Sequence, residues 1–519
     1  NMPPQREQPE AEPLLRDEAE SDDHADAGAA ETPAVRVMHS VEQPAHSWLP
    51  ELWELLVLSA SIFVLRVSWV VIKTTDSALL GYTGTHYLAA ASVSDLWTQS
   101  TGVFIMGGVL GMFCSQAIGS GNKQMAGIWL QVSLTVLSAI LVPVAVSWAL
   151  TGPLLRALGE PAEVADDASY YALVLMACLP ARIGISQISQ FFTSQKMLHP
   201  GMTTGFLAML MNLVLGLYFV LGVPSVPAGW AGLGFHACPL VTSAVEYCQL
   251  ALLWGVYWAG LKLYRECWPE AGWSWSHVTR ARVAEFCRIY FPAALSLASD
   301  FWRVAAIGAV AATLGAAEVS VFNCSYRIMW IALTFIGSMG GAMAIHLGVA
   351  LGAGDTAAAK LSARVCIATC CVAVVGLAAV MMLFARDVAR LFSPDPAIQE
   401  LFHEVRAPMV AMMVLMTLAV LLERIPMAMG RTSVVLGVGL LGSWAGQVPG
   451  VYIGVYLWRH DLVGLFTGVA AGYALLCILL SGIIITTNWE KYALEAQRRS
   501  ETAKSETEPS GSRSEAESS

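Results

Sequence analysis

Apolar runs of twenty to thirty-odd residues, parted by short polar breaks, fill this chain from about residue 51 to residue 488. A helix rises 1.5 Å per residue, so roughly 20 apolar residues cross roughly 30 Å of hydrocarbon. Twelve runs meet that length: 52–80, 88–118, 125–150, 168–193, 201–222, 232–260, 283–314, 318–351, 359–385, 398–427, 432–457 and 462–487. Many exceed the minimum, which predicts tilted or bent helices. In lipid every backbone polar group must be satisfied internally, and a helix does this within one segment. The pattern therefore predicts an all-α polytopic membrane protein with twelve transmembrane helices.

Composition changes this picture only at the ends. The chain is 56% hydrophobic and 13% charged, against roughly 25% charged in soluble domains. Its net charge of −10 belongs to the tails. Residues 1–50 carry eleven acids against three bases and 489–519 carry seven against five, which leaves the region between them neutral. Both tails, poor in aromatics and rich in Glu, Ser and Ala, are predicted to be disordered. Nothing in this charge distribution points to nucleic acid as a partner. With the amino-terminal tail in the cytosol, the loops on that side and the start of the second tail hold thirteen Lys and Arg residues, and the opposite loops hold four. That asymmetry predicts two cytosolic termini. The eleven cysteines form no C-x-x-C pair and read as packing residues. Glu10, Leu14 and Leu15 have the form of an acidic dileucine signal, which leaves the plasma membrane and a vacuolar or lysosomal membrane both open.

The chain also repeats itself. Residues 106–122 read MGGVLGMFCSQAIGSGN and residues 339–355 read MGGAMAIHLGVALGAGD. At an offset of 233, Met106, Gly107, Gly108, Ala117, Gly119 and Gly121 match Met339, Gly340, Gly341, Ala350, Gly352 and Gly354. Six helices separate the copies, so the halves run in the same direction. They are expected to form two six-helix lobes, 51–260 and 283–488, related by a pseudo-twofold axis along the membrane normal. An interfacial linker at 261–282, rich in tryptophan, is expected to join them. Two lobes around a seam is the geometry of a secondary transporter with alternating access.

Several segments resemble the multidrug and toxic compound extrusion (MATE) family, in its eukaryotic form. DSALLGYTGTHYLAAAS at 76–92 and CSQAIGSGN at 114–122 resemble the first two helices of the family. PGMTTGFLAMLMNLVLGLYFVLG at 200–222 and AGLGFHA at 231–237 resemble the fifth and the start of the sixth. FPAALSLASDFWR at 291–303 and GSMGGAMAIHLGVALGAGD at 337–355 resemble the seventh and eighth. The resemblance implies an antiporter that exports organic cations or other amphiphilic small molecules against H⁺ or Na⁺, with no other cofactor. It further implies a monomer whose partners are its substrate and the surrounding lipid. It matches Asp76 to the family's acid in the first helix and Asn212 to a polar position in the fifth. Asp300 stands where eukaryotic relatives usually carry Glu in the seventh.

Each ionised residue mid-helix costs roughly 2.5–3.5 kcal/mol on insertion scales and so asks for a reason. Asp300 either binds the coupling ion and substrate in turn or pairs with Arg303, three residues on and on the same helical face. Asp76 has Lys73 at the same spacing. Glu246 is a candidate cation-binding acid, Asn212 and Gln187 are candidate neutral partners, and Tyr326 is a candidate cation–π surface. Glu423 and Arg424 read as an interfacial pair. A flippase for lipid-linked substrates would instead need a cavity lined by arginines such as Arg66, Arg182, Arg303, Arg327 and Arg406. No P-loop, HExxH or nucleophile elbow occurs, and His236, His346 and His403 fall on different helices, which argues against an ATP-driven pump or a membrane-embedded transferase.

Overall fold

A computed structural model gives the fold of residues 47–223, 230–391 and 395–501. The described residues form helices and connecting turns, with no strand. The spanning helices are α1 (Trp48–Thr83), α2 (Thr85–Gly119), α3 (Lys123–Ala149), α4 (Ala162–Met176 and Leu179–Ser194), α5 (His199–Phe219), α6 (Gly234–Gly260), α7 (Arg280–Ala312), α8 (Ala317–Gly352), α9 (Thr356–Leu383), α10 (Arg406–Ala428), α11 (Thr432–Trp458) and α12 (Leu462–Thr486). Eleven pass as single helices and α4 as a bent pair, which makes the expected twelve. Of the N-tail expected at 1–50, residues 1–46, with Glu10, Leu14 and Leu15, lie outside the described residues, as does the tail beyond 501.

Differences from the expected spans have local causes. The two pieces of α4 meet at 48°. Pro180 opens the second piece; it has no N–H to give the Met176 carbonyl, so the first piece ends there. The carbonyls freed at the bend find donors on α6, where Tyr247 OH gives to Ala177 O at 2.7 Å and Ser243 Oγ to Val174 O at 3.3 Å. The span expected at 398–427 starts only at Arg406. The residues before it form a separate helix, Pro396–Glu404, which buries Phe402 and whose Glu400 and Glu404 pair with Arg386 and Arg459. Residues 48–50 belong to α1, not to a tail. Trp489–Glu501, expected to be disordered, is an amphipathic helix, α13. Its Ala493 and Ala496 are buried against the second lobe's core. The 261–282 linker is clamped to α3: Gln131 gives its amide to Gly272 O at 3.1 Å and receives Ser274 N–H at 3.2 Å, and Lys123 pairs with Glu266 at 3.0 Å.

The two lobes exchange the inner halves of their first helices. Leu55 and Leu58 of α1 sit in a core otherwise built from α8, α9, α10 and α13, and Glu51 meets His346 of α8 at 3.0 Å. Phe286 and Tyr290 of α7 sit in the core of the first lobe. Tyr290 also repairs a break in α2 at Gly107. Its OH donates to Phe104 O at 2.8 Å and receives Gly107 N–H at 3.3 Å, while Gln190 of α4 bonds Gly107 O and Gly111 N, each at 3.2 Å.

The repeated glycines meet one another. A Cβ on Gly119 would overlap the Val349 carbonyl, and one on Gly352 would overlap the Gln116 carbonyl. Val349 lies 233 residues after Gln116, as Gly352 does after Gly119. The contact is therefore reciprocal about the pseudo-twofold axis, and α2 and α8 close one face of the bundle. Gln116 is fully buried at this crossing and gives its amide to Ala428 O of α10 at 2.9 Å. Across the crossing lies α13: Arg499 donates to Gln116 Oε1 at 2.9 Å and pairs with Glu285 of α7 at 3.3 Å, and Asn122 donates to Ser500 O at 2.9 Å.

Because only hydrogen fits at these two glycines, Gly352→Val is expected to disfavour the closed face. A cysteine placed at Ser115, which here is buried against Gly348, should react with a maleimide several-fold faster in that variant, read site by site by mass spectrometry. Equal rates would mean the face opens elsewhere.

Candidate substrate and coupling-ion site

Two polar centres lie among helices of the same rank in the two halves. The first is enclosed by α1, α5 and α6, the first, fifth and sixth helices of their half; the second by α7, α11 and α12, which hold the same ranks in theirs.

In the first centre Asp76 is 2% exposed. Its oxygens accept from Asn212 Nδ2 at 3.1 Å and from Thr242 Oγ at 2.9 Å. Both donors are neutral, and no Lys or Arg comes within ion-pair distance among the described residues. Asn212 Oδ1 is buried beside it without a donor. The neighbouring acids are matched. Lys73, three residues before Asp76, turns to Asp95 of α2 at 2.9 Å. Arg182 of α4 holds Glu246 of α6 with Nε at 2.8 and 3.0 Å from its two oxygens, and lies over the Trp148 ring at 5.7 Å. Lys73 is within electrostatic reach of Asp95, Arg182 and Asp76, so the five charges form one chain. Three acids in it face two bases, and Asp76 is the acid left over.

In the second centre the acid brings its own counter-charge. Asp300 accepts from Arg303 Nη2 at 2.9 Å. Arg303 also donates to Gln447 Oε1 at 2.7 Å and Ser443 Oγ at 3.3 Å, and its guanidinium lies 5.2 Å from the centre of the Tyr473 ring. Ser443 and Gln447 sit on a π-helical stretch of α11, Leu441–Gln447, a winding that recurs at functional sites. Asp300 keeps 45% of its side chain exposed, against 5% for Arg303. The carboxylate thus faces accessible space while its partner is sealed behind it.

The predicted residues divide accordingly. Asp76 and Asn212 are brought into contact. Asp300 is held in the Arg303 pair, and Tyr326, packed on Phe322 at 4.5 Å, lies within electrostatic reach of the same arginine. Glu246 is engaged by Arg182. Gln187 is apart from both centres, bonded to Ser133 of α3 at 3.1 Å, where it packs α4 on α3. Glu423, expected to pair with Arg424, has a wider set of charges around it. It makes no contact pair with Arg424, because successive helical residues point about 100° apart. Instead it lies within electrostatic reach of Asp300, Arg303 and Arg424. The long run 407–422 that precedes it, with Thr417 as its one polar side chain, was the signal that could have set it inside the bundle.

The MatE family model matches residues 62–218 and 292–453, one match in each half. The chain is 26% identical over 485 residues to multidrug and toxin extrusion protein 1 of Xenopus tropicalis, which covers 90% of this chain and 80% of that one. It is 25% identical over 485 residues to Protein DETOXIFICATION 17 of Arabidopsis thaliana, with 90% and 94% covered. The crystal structure of the eukaryotic MATE transporter AtDTX14 superposes with a TM-score of 0.78 at 20% identity, over 87% of this chain and 99% of that one.

The two kinds of buried acid should respond differently to neutralisation. Glu246→Gln strands Arg182, and breaking a buried pair in this way costs about 3–5 kcal/mol. Asp76→Asn strands no cation. The first variant is expected to unfold at a clearly lower temperature than the parent in detergent, and the second at the same temperature or higher.

Proposed function

The chain belongs to the MatE family, and from that membership and the unmatched Asp76 we propose that it is a secondary antiporter, exporting organic cations or other amphiphilic small molecules in exchange for inward H⁺ or Na⁺. It is a multi-pass membrane transporter of two six-helix lobes and not an enzyme. Asp76 carries the proposal. An ionised carboxylate there has only neutral donors, so a proton or a sodium ion supplies the missing positive charge, and loss of that ion restores an acid that must be compensated anew. Its release and rebinding change the charge of the first lobe by one. Asp300, accessible and in reach of Glu423, is the second acid of the mechanism: a cationic substrate competes there with Arg303 for the carboxylate.

Both termini are placed in the cytosol, in keeping with the basic loops. The face closed by α2, α8 and α13 is then the cytosolic one. The protein resides in the plasma membrane or a vacuolar or lysosomal membrane. A flippase for lipid-linked substrates finds less support, because Arg182 and Arg303 are engaged by Glu246 and Asp300.

The test is flux in proteoliposomes with an imposed pH or sodium gradient and rhodamine 6G as the organic cation. Gradient-driven flux is expected in the parent. It should fall at least tenfold in Asp76→Asn and in Asp300→Asn, with Asp300→Glu retaining most of it. Flux indifferent to either gradient would overturn the exchange reading, and undiminished flux in Asp76→Asn would remove that residue from the coupling.

A further inference from the structure

Three deep bases have a carboxylate in contact: Lys73, Arg182 and Arg303. Arg66 of α1 and Arg424 of α10 have none among the described residues, and no side-chain hydrogen bond either. The two belong to opposite halves of the chain, and α8 passes beside both. A Cβ on Gly337 would stand 2.9 Å from Arg66 Nη1, and a Cβ on Gly340, one turn further along, 3.0 Å from Arg424 Cγ. The glycines of α8 thus leave the room in which the two arginines lie. The guanidinium groups are within electrostatic reach of each other, and both side chains are half-buried. Arg424 is in turn within reach of Asp300 and Glu423.

Two like charges in a low-dielectric setting repel, and an anion between them removes that cost. Planar guanidinium groups match the two oxygens of a carboxylate or phosphate. Arg303 and Arg424 are within reach of Asp300 and Glu423, which leaves Arg66, in reach of Arg424, as the positive charge in excess. A single negative charge balances it, whereas a dianion would meet the two acids. We infer that Arg66 and Arg424 form an oxyanion site on the seam between the lobes, which receives the singly charged carboxylate or phosphate group of an amphiphile. The inference rests on the proposed function to the extent that the seam is where substrate sits, and it extends the substrate range from cations to amphiphiles that carry one acidic group. The same chemistry is offered by a soluble carboxylate and by the headgroup of an anionic phospholipid.

The experiment is equilibrium binding of 2-naphthoate and of 2-naphthylmethylammonium, one ring system with opposite charges, to the full chain in phosphatidylcholine nanodiscs. Saturable naphthoate binding is expected. Arg66→Gln and Arg424→Gln should each weaken it at least tenfold, and Arg66→Lys should weaken it less, since the charge remains but the fork is lost. Binding of naphthylmethylammonium should not weaken in any of the three. Because neither arginine is in hydrogen-bond contact with an acid among the described residues, the variants are expected to unfold no earlier than the parent. Absence of saturable naphthoate binding to the parent, or unchanged affinity in both glutamine variants, would overturn the site. Replacing a tenth of the lipid by phosphatidylglycerol separates the sources: displacement of naphthoate supports the site with a lipid headgroup as its ligand, and no displacement supports it with a soluble carboxylate. Loss of gradient-driven rhodamine flux with naphthoate binding intact would count against the exchange reading and not against this site.

Discussion

Hydrocarbon supplies no counter-charge, so the ionised side chains in the interior of this bundle have to be matched from within it. That constraint orders most of the polar interior. Lys73 reaches past the adjacent Asp76 to Asp95, and Arg182 bridges α4 to α6 to hold Glu246. These pairs join helices that the hydrophobic pattern alone would let slide past one another. What they leave unmatched is one acid, Asp76, in the first lobe, and one base in excess around Arg66 and Arg424 at the seam. The two imbalances are opposite in sign and belong to different parts of the same repeat. A transporter that must bind and release charged species needs such residual charges, because fully paired groups have little to gain from a ligand.

The repeat sharpens the comparison. Asp76 and Asp300 occupy the first helix of their halves, and each is enclosed by the fifth and sixth. Yet Asp76 meets Asn212 and Thr242, whereas Asp300 meets an arginine on its own helix. Duplication kept the enclosure and not the electrostatics. The first acid has no cationic partner in contact; the second has Arg303, whose other bonds to Gln447 and Ser443 hold it in place.

How much of this was readable in the sequence depends on separation along the chain. The Asp300–Arg303 pair follows from i,i+3 spacing, and the two-lobe architecture from the 233-residue offset. Lys73–Asp95 and Arg182–Glu246 join residues on different helices, and nothing local selects those partners over Lys73–Asp76. The MGG segments at 106–108 and 339–341 are identical, but the first interrupts α2 and the second runs through α8 as helix. The difference lies in Tyr290 and Gln190, which supply hydrogen bonds for the backbone of the break and come from elsewhere in the fold. In α13, Trp489, Tyr492, Ala493, Ala496 and Ser500 recur at helical spacing, so the helix was legible; its many charged residues gave the weight to disorder instead.

Closure and charge meet at Gln116. It stands one residue before the matched Ala117, gives its amide to the end of α10, and accepts from Arg499 of α13. Its own carbonyl is the atom that requires Gly352 to be glycine. Separation of α2 from α8 therefore exposes a backbone carbonyl and breaks bonds to two further helices at once. Arg424 lies one turn before Ala428, the acceptor of the Gln116 amide. A displacement of the end of α10 that opens this face consequently moves Arg424 relative to Arg66 and Glu423. The closed face and the charged seam share a helix, which is a direct route by which a change of charge at the seam biases whether the face is shut.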